Sequence, residues 1–270
     1  MEGHSPIYRR VAGIDVHRML HVVTVLIERP DGSIEKLSRE FGGFKRDCRT
    51  LAAWLSEMQV ALVFMVSTGI YWKSVYAHLE RAHIAAWVVN AHFIKHVPGR
   101  KTDMADSEWL AVLARFGLVR GSFIPPQDLR ELRLVSRYRR KLSAMLASET
   151  NRLHKILDDA GIKLGAVVSD VNGVSARAMV KGLIEGQPES VLLAHARGAL
   201  KHKTEELAAS LQGDLSARHL FVLAQLNTHI EALERQLAAI DAALLAAMQP
   251  YPGRTSCCRP FQASTRSPRP

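Results

Sequence analysis

Three aspartates in this chain have the setting and spacing of a metal-binding carboxylate cluster. Asp15 interrupts a short apolar run at residues 11–16, where a lone acid is costly to bury without a partner. Asp103 and Asp106 are spaced i and i+3 at the start of a helix predicted over residues 103–116, so both side chains project from one face. Clustered carboxylates repel one another unless a hard cation lies between them, and Mg²⁺ or Mn²⁺ prefers oxygen ligands.

If the three aspartates meet in space, they predict a catalytic metal site at which all three are ligands. A divalent cation in such a site can hold the attacking and leaving oxygens during phosphoryl transfer on nucleic acid. Each acid also has a structural explanation. Thr102 can cap the helix, Asp103 and Asp106 suit the positive end of its dipole, and Asp15 can pair with an arginine or with His17.

The charge balance favours a polyanionic partner. The chain has 36 Lys and Arg against 26 Asp and Glu, a formal net charge of +10, which suits nucleic acid but is also compatible with simple solubility. Tyr138 lies within the densest basic cluster and offers a ring on which a base can stack. The same residues are equally explained as a solvated loop and the polar face of a helix. The candidates for binding nucleic acid are Arg100, Lys101, Arg137, Tyr138, Arg139, Arg140 and Lys141.

The elements that must position the acids form an α/β pattern in the first part of the chain. Short apolar runs bounded by turn residues predict strands, and amphipathic spacing between them predicts helices. A hairpin followed by a βαβ unit implies a mixed sheet with flanking helices that ends near residue 120. Strands are predicted within residues 8–16, 21–37 (two strands), 60–66 and 84–90, and helices within 44–58, 71–83 and 103–116.

Beyond a proline breaker at Pro125 and Pro126, the pattern is helical throughout. From Leu132 onwards apolar residues alternate in steps of three and four if Arg139 and Glu149 are allowed as polar interruptions, and residues 223–244 keep a heptad rhythm without a miss. The second run predicts a coiled-coil seam, which favours a homo-oligomer. An ordinary bundle helix explains it equally well, and the two long helices can also pair within one chain.

Few other function classes are compatible with the sequence. No apolar segment has the length of a signal sequence or of a spanning helix, so we expect a cytoplasmic protein without a membrane partner. The cysteines have neither a disulfide framework nor zinc-ligand spacing, since Cys48 is isolated and Cys257 and Cys258 are adjacent. The sequence contains no Gly-x-Ser-x-Gly turn, no Gly-rich phosphate loop and no metal-binding histidine pattern.

Three segments, in this order, resemble insertion-sequence transposases of the Piv invertase type. They are GIDVH at residues 13–17, STGIYW at 67–72 and VPGRKTDMADSEWLA at 97–111. The resemblance spans residues 8–250 and implies an N-terminal domain similar to the RuvC resolvase, with an RNase H-like fold and a DEDD set of acids. It further implies a coiled-coil segment, a second domain with a nucleophilic serine, and DNA recombination guided by a structured RNA.

Carried over by position, the family's first, third and fourth acids fall on Asp15, Asp103 and Asp106. The second acid is expected just before Ser67-Thr68, and that position is Val66. One ligand of the expected Mg²⁺ or Mn²⁺ site is therefore replaced by an apolar side chain. We expect the loss to weaken metal binding and impair strand cleavage and transfer.

The resemblance gives a domain organisation with a second departure. We expect a RuvC-like DEDD domain over residues 1–122, a helical coiled-coil region over 123–250, and a disordered basic tail over 251–270. The tail has no acidic residue and several arginines and prolines. It reads either as a nucleic-acid-binding tail or as codons out of frame in place of the serine domain, and the abrupt end of the periodic helix favours the second.

Three functions follow from these features. The first is a DNA transposase, impaired by Val66 and by the absent serine domain. The second is a non-catalytic remnant that binds nucleic acid, oligomerises and competes with an intact transposase. The third, a sugar kinase or ATPase of the actin-like type, is disfavoured because Val16-His17 stands where such proteins have a Gly-Thr phosphate-binding turn.

Overall fold

The computed structural model describes residues 6–66, 69–95 and 105–251. The chain divides between Gln127 and Asp128 into two compact units. The first combines a β-sheet with helices, and the second is helical.

A five-stranded mixed sheet forms the centre of the first unit, with strand order β3-β2-β1-β4-β5. The first three strands are antiparallel neighbours, and β1, β4 and β5 are parallel. The strands are β1 (Arg10–Val16), β2 (Leu20–Glu28), β3 (Ile34–Gly42), β4 (Leu62–Val66) and β5 (Ala86–Val89). The sequence prediction of a mixed α/β sheet is confirmed.

Helices cover both faces of this sheet, so the central strands are apolar on both sides. Alternate β1 residues, such as Ile14, belong to a core shared with the first two helices. The intervening residues, such as Val11, belong to a second core with the fourth helix. The helices of this unit are α1 (Lys45–Glu57), α2 (Trp72–Arg81), α3 (Ala91–Lys95) and α4 (Asp106–Phe116).

The start of α4 differs from the prediction. The helix begins at Asp106, with Ala105 at the N-cap position and no side-chain cap, rather than at residue 103. Asp103 lies outside the described residues, so the expected i, i+3 placement of the two aspartates on one helix face stays a prediction. Its other end agrees with the prediction, because Gly117 adopts a left-handed conformation (φ 61°) and ends the helix as glycine commonly does.

Two long helices frame the second unit. The longer ones are α5 (Gln127–Asp159) and α10 (Ala217–Met248), and the shorter ones between them are α6 (Leu164–Val167), α7 (Val174–Ile184), α8 (Glu189–Ala194) and α9 (Thr204–Leu211), with a 3₁₀ turn at Gly198–His202. Buried leucines of both long helices share one core with the shorter helices.

The long helices run antiparallel to each other. His219, near the start of α10, lies 3.1 Å from Asp159 at the end of α5, whereas Arg139 in the first half of α5 pairs with Asp241 near the end of α10. Pairing within one chain, one of the alternatives open from the sequence, is thus observed. A partner chain along these helices stays a prediction.

Among the residues that the structure describes, no helix combines the length and the apolar character needed to cross a membrane.

Candidate active site at the end of the central strand

Asp15 lies near the carboxyl end of β1, the middle strand of the sheet. Its side chain is 29% exposed, and one carboxylate oxygen, Oδ2, lies 2.9 Å from His17 Nε2. The pairing with His17 considered from the sequence is therefore present. Because the carboxylate remains partly exposed at a strand end, it is accessible to a cation as well as to His17.

Val66 is the last residue of β4, the parallel neighbour of β1. The register pairs Ile14 with Met65, so continuing it by one residue places Val66 beside Asp15. Side chains of paired residues in neighbouring strands lie on the same face. Val66 is half-buried and packs against the core beneath α4, so an apolar side chain stands next to the carboxylate.

Helix α4 rests directly on β1 at Gly13. A Cβ atom at Gly13 would lie 2.0 Å from the Ser107 carbonyl oxygen and 2.4 Å from the Ala111 backbone nitrogen. No side chain fits in that space, so only glycine permits this approach of helix to strand. Since Gly13 and Asp15 are two residues apart, they share the face of β1 that α4 covers.

A buried hydroxyl pair fixes the first turn of α4 on the sheet. Ser107 Oγ lies 2.8 Å from Thr24 Oγ1, and both side chains are buried. Thr24 is the β2 residue paired with Gly13. The helix start is thus held by a polar contact at the point where its backbone touches the strand.

The contacts at the C-terminal end of α4 show in which direction the helix runs along the sheet. The Arg115 carbonyl accepts hydrogen bonds from the backbone amides of Ile7 and Tyr8, which precede β1, and Arg115 Nη2 lies 2.9 Å from Glu28 Oε2. Helix α4 therefore runs antiparallel to β1. Its first residue, the exposed Asp106, lies towards the end of the strand that carries Asp15.

The structure thus brings two of the predicted carboxylate positions to one end of the sheet. Asp103, Arg100 and Lys101 lie outside the described residues, as do Ser67 and Thr68. Within the described residues, no group of three or more His, Cys, Asp or Glu side chains is arranged to hold a metal ion. The described part of the site consists of Asp15, Asp106 and the apolar neighbour Val66.

A buried polar cluster that the sequence did not single out lies on the other face of the sheet. Cys48 Sγ is 3.9 Å from His21 Nε2 and 3.7 Å from Ser74 Oγ. Burial lowers the pKa of His21 and raises the pKa of the Cys48 thiol, so both groups favour their neutral forms. A neutral buried pair has a packing role, and only the three-dimensional contact of residues far apart in the chain identifies it.

The predicted basic cluster on α5 separates into two groups. Arg137, Tyr138, Arg140 and Lys141 are exposed. Arg139 instead faces α10, where its guanidinium donates two hydrogen bonds to the Asp241 carboxylate. The position expected to bind nucleic acid and to interrupt the apolar stripe is thus occupied by an ion pair between helices.

Comparison with known proteins gives one family match. The family model of the IS110 DEDD transposases, described as a transposase, matches residues 12–162, which is more than half of the chain. No curated protein matches the chain.

Solved structures provide weaker similarities. RuvC from Thermus thermophilus is 13% identical with a TM-score of 0.33, covering 42% of this chain and 99% of RuvC. The same organism's RuvC in complex with a Holliday junction substrate is 12% identical with a TM-score of 0.33, over 43% of this chain and 100% of that one. An Aquifex aeolicus member of the Ppx/GppA family is 9% identical with a TM-score of 0.25, over 88% and 98%.

Proposed function

The chain belongs to the IS110 family of DEDD transposases, and on this premise we propose that it acts on DNA by metal-dependent strand cleavage and transfer, weakened by the side chain at position 66. In this proposal residues 1–122 are the catalytic domain and residues 123–250 the helical region. Asp15, Asp103 and Asp106 are the catalytic carboxylates.

The docking of α4 on Gly13 is the observation that carries the proposal. Two carboxylates from residues about 90 positions apart have no reason to approach unless the fold imposes it. The helix backbone touches the strand two residues before Asp15, and the helix direction turns Asp106 towards the same strand end. If Asp15 only paired with His17 and Asp106 only stabilised the start of α4, the two acids would not need to lie at the same end of the sheet.

The donor atoms of these carboxylates suit a hard divalent cation. Asp15 and Asp106 offer only oxygen donors and are accessible to solvent, which suits Mg²⁺ or Mn²⁺. With Asp103 they would hold the ion, which when bound polarises the phosphodiester and stabilises the charge that develops on its oxygens. His17 would hold Asp15 in place through its 2.9 Å contact.

DNA is the partner that this proposal requires, both at the ends of the insertion sequence and at the target site. The net charge of +10 supports it, and the exposed residues Arg137, Tyr138, Arg140 and Lys141 offer phosphate and stacking contacts. A structured guide RNA and a homo-oligomer formed along the long helices belong to the same proposal. Arg139 is excluded from the binding set because Asp241 occupies its guanidinium.

Restoring an acid at position 66 tests the proposal. We expect Val66→Glu to gain Mg²⁺-dependent cleavage of element-end DNA over the unaltered chain, because the register places that side chain beside Asp15. Val66→Gln is the matched control, since it has the same shape without the charge. Equal cleavage by the Glu and Gln variants, or full activity of the unaltered chain, would overturn the assignment of Val66 as the lost ligand.

A non-catalytic binding protein is the second candidate function, favoured by Val66 alone. Such a protein would bind element-end DNA, show no cleavage with Mg²⁺ or Mn²⁺, and inhibit an intact transposase of the same element in a mixed reaction. Binding without cleavage by both the unaltered chain and Val66→Glu would favour this function over the catalytic one.

A further inference from the structure

A basic groove lies between α1 and α2, on the face of the sheet opposite to Asp15. The two helices pack on the alternate residues of β1 that include Ile14, whereas Asp15 is on the face that α4 covers. The groove has a volume of about 590 Å³. Its lining residues are Lys45, Arg49, Ala52, Ala53 and Ser56 from α1, and His78, Arg81 and Ala82 from α2.

Small residues leave room for the groove between the two helices. Ala52, Ala53 and Ser56 line it from α1 and Ala82 from α2, so the facing sides of the two helices leave space that longer side chains would fill. On α1 the lining extends from Lys45 to Ser56, a length of about 16 Å at about 1.5 Å per helical residue. The groove is therefore elongated rather than a compact pocket.

The charge around the groove is of one sign. Lys45, Arg49 and Arg81 are exposed and form no ion pair within the described part of the chain. The described lining contains no acidic residue. Three cations around one depression create a positive potential that attracts an anion and has no internal counter-charge.

His78 provides an independent sign of a missing ligand. The side chain is 9% exposed, and its Nδ1 donates a hydrogen bond to the Ser74 carbonyl over 2.7 Å. Its other ring nitrogen, Nε2, is buried without a partner among the described residues. Buried polar atoms are nearly always paired, so an unpaired nitrogen on a residue that lines the groove calls for a polar group there.

We propose that this groove binds the phosphodiester backbone of a nucleic-acid strand. Arginine and lysine match phosphate oxygens in charge and hydrogen-bonding geometry. The lining has no Phe, Tyr or Trp, and its one imidazole, that of His78, is buried, so the contacts are to the backbone and carry no sequence preference. The length of the groove suits several phosphates in a row better than one isolated anion.

This inference shares with the proposed function only its nucleic-acid partner. The groove uses neither the carboxylates nor a divalent cation, and it lies on the other side of the sheet. Its test is therefore made in EDTA, where strand cleavage does not operate.

A charge placed in the groove without a change of shape is the sharpest test. Ala53 is exposed and accepts a longer side chain, so Ala53→Glu and its isosteric control Ala53→Gln both fold. With labelled duplex DNA, single-stranded DNA and an RNA hairpin in fluorescence anisotropy, we expect Ala53→Glu to weaken binding of at least one at least tenfold relative to Ala53→Gln. Equal affinity of the two variants for all three would overturn the proposal.

The salt dependence of binding counts the phosphates involved. Each phosphate contact contributes about 0.9 to the slope of log K against log salt for duplex DNA and about 0.7 for single strands. Arg49→Gln with Arg81→Gln should therefore lower the slope by about 1.8 for duplex DNA or about 1.4 for single strands. The control pair Lys155→Gln with Arg197→Gln, which removes the same charge from exposed positions elsewhere, should leave it unchanged. A slope that is the same in both double variants contradicts the proposal.

Inorganic phosphate separates a polymer site from a free-anion site. We expect phosphate to displace the polynucleotide no better than chloride at equal ionic strength. Displacement by phosphate at low millimolar concentration, abolished by Ala53→Glu, would make the groove a free-anion site and overturn the polymer assignment.

A comparison with Asp15→Asn keeps the two proposals apart. In the Val66→Glu background that variant should abolish cleavage, whereas the weaker binding of Ala53→Glu relative to Ala53→Gln in EDTA should persist in it. If Val66→Glu cleaves DNA but Ala53→Glu and Ala53→Gln bind equally well, the groove inference is refuted and the catalytic proposal stands. If the two Ala53 variants differ in affinity but Val66→Glu does not cleave, only the catalytic proposal is refuted.

Discussion

Gly13 determines the distance between strand and helix at the candidate site. Its missing side chain allows the α4 backbone to contact β1, and both Asp106 and Asp15 depend on that contact for their common location. Asp15 supplies the carboxylate, and Val66 occupies the adjoining position. Gly13 and Val66 therefore determine which groups surround the Asp15 carboxylate.

Replacing Gly13 by alanine should destabilise the first unit by roughly 3 kcal/mol or more, at or above the upper end of typical overpacking costs. The added methyl group would clash with the backbone of Ser107 and Ala111, which cannot rotate away as a side chain can. Urea unfolding measures the loss. Gly165→Ala is the control, since the nearest atoms there are 3.6–3.7 Å away, and it should leave stability unchanged within about 0.5 kcal/mol. Equal stability of Gly13→Ala and the unaltered chain would show that α4 moves freely.

At the scale of residues, the sequence predicts which residues belong to the candidate site better than it predicts which residues contact each other. Asp15 and the apolar residue at position 66 are visible in the motif order. The role of Gly13 is not, because a glycine beside a strand acid has many uses and only the helix packed against it shows which one applies. The ion pair of Arg139 with Asp241 is hidden for the same reason, since 102 residues separate the partners.

Two strand–helix junctions organise the first unit at the scale of elements. On one face α4 is held by the Thr24–Ser107 hydroxyl pair. On the other, α1 covers the start of β2 and buries His21 beside Cys48. Both junctions bury polar side chains, but the hydroxyls satisfy each other, whereas His21 Nδ1 has no partner among the described residues.

Burial of His21 should make the first unit sensitive to acid. Burial lowers its pKa below the ordinary 6.5, so the unfolded chain binds more protons there than the folded chain, and stability falls as the pH drops below about 6.5. Over one pH unit the effect of a single group is at most about 1.4 kcal/mol. Urea unfolding at pH 7.5 and 5.5 measures it, and His21→Gln should show a smaller drop. An identical drop in that variant would assign the acid sensitivity to other groups.

The strands and longer helices could be predicted because hydrophobic periodicity is a local property. The start of α4 could not, since Thr102 followed by acids is a good capping sequence, yet the helix begins at Asp106. The short helix α3 was likewise missed, because five residues are too few to show a helical period.

The whole molecule carries an excess of positive charge, and its cations are divided between internal ion pairs and the exposed surface. Within the described residues, Arg139 and Arg177 are in ion pairs between helices, while Arg137, Arg140 and Lys141 stand exposed on α5. Of these five cations, only the exposed ones on α5 are available to a polyanion. Sequence composition gives the sum of the charges, whereas the distribution between internal pairs and surface comes from the fold.

Neutralising the exposed α5 cluster should weaken nucleic-acid binding and its salt dependence. If Arg137, Arg140 and Lys141 each contact one phosphate, their joint replacement by glutamine lowers the slope of log K against log salt by about 2.7 for duplex DNA. Anisotropy at several salt concentrations measures the slope. Arg139→Gln is the contrasting variant, because it should lower the melting temperature of the second unit more than it changes the slope. The opposite pattern would return Arg139 to the binding surface.

The antiparallel course of α5 and α10 has a mechanical consequence. Asp128 and Met248 lie at the same end of the helical pair, because Arg139 meets Asp241 and Asp159 meets His219. A force that separates those two ends therefore peels the helices apart one contact at a time, beginning near Arg139–Asp241, instead of shearing the whole pair at once. Unzipping requires far less force than shear, and α7, which pairs through Arg177 with Glu234, is loaded before the peeling front reaches His219.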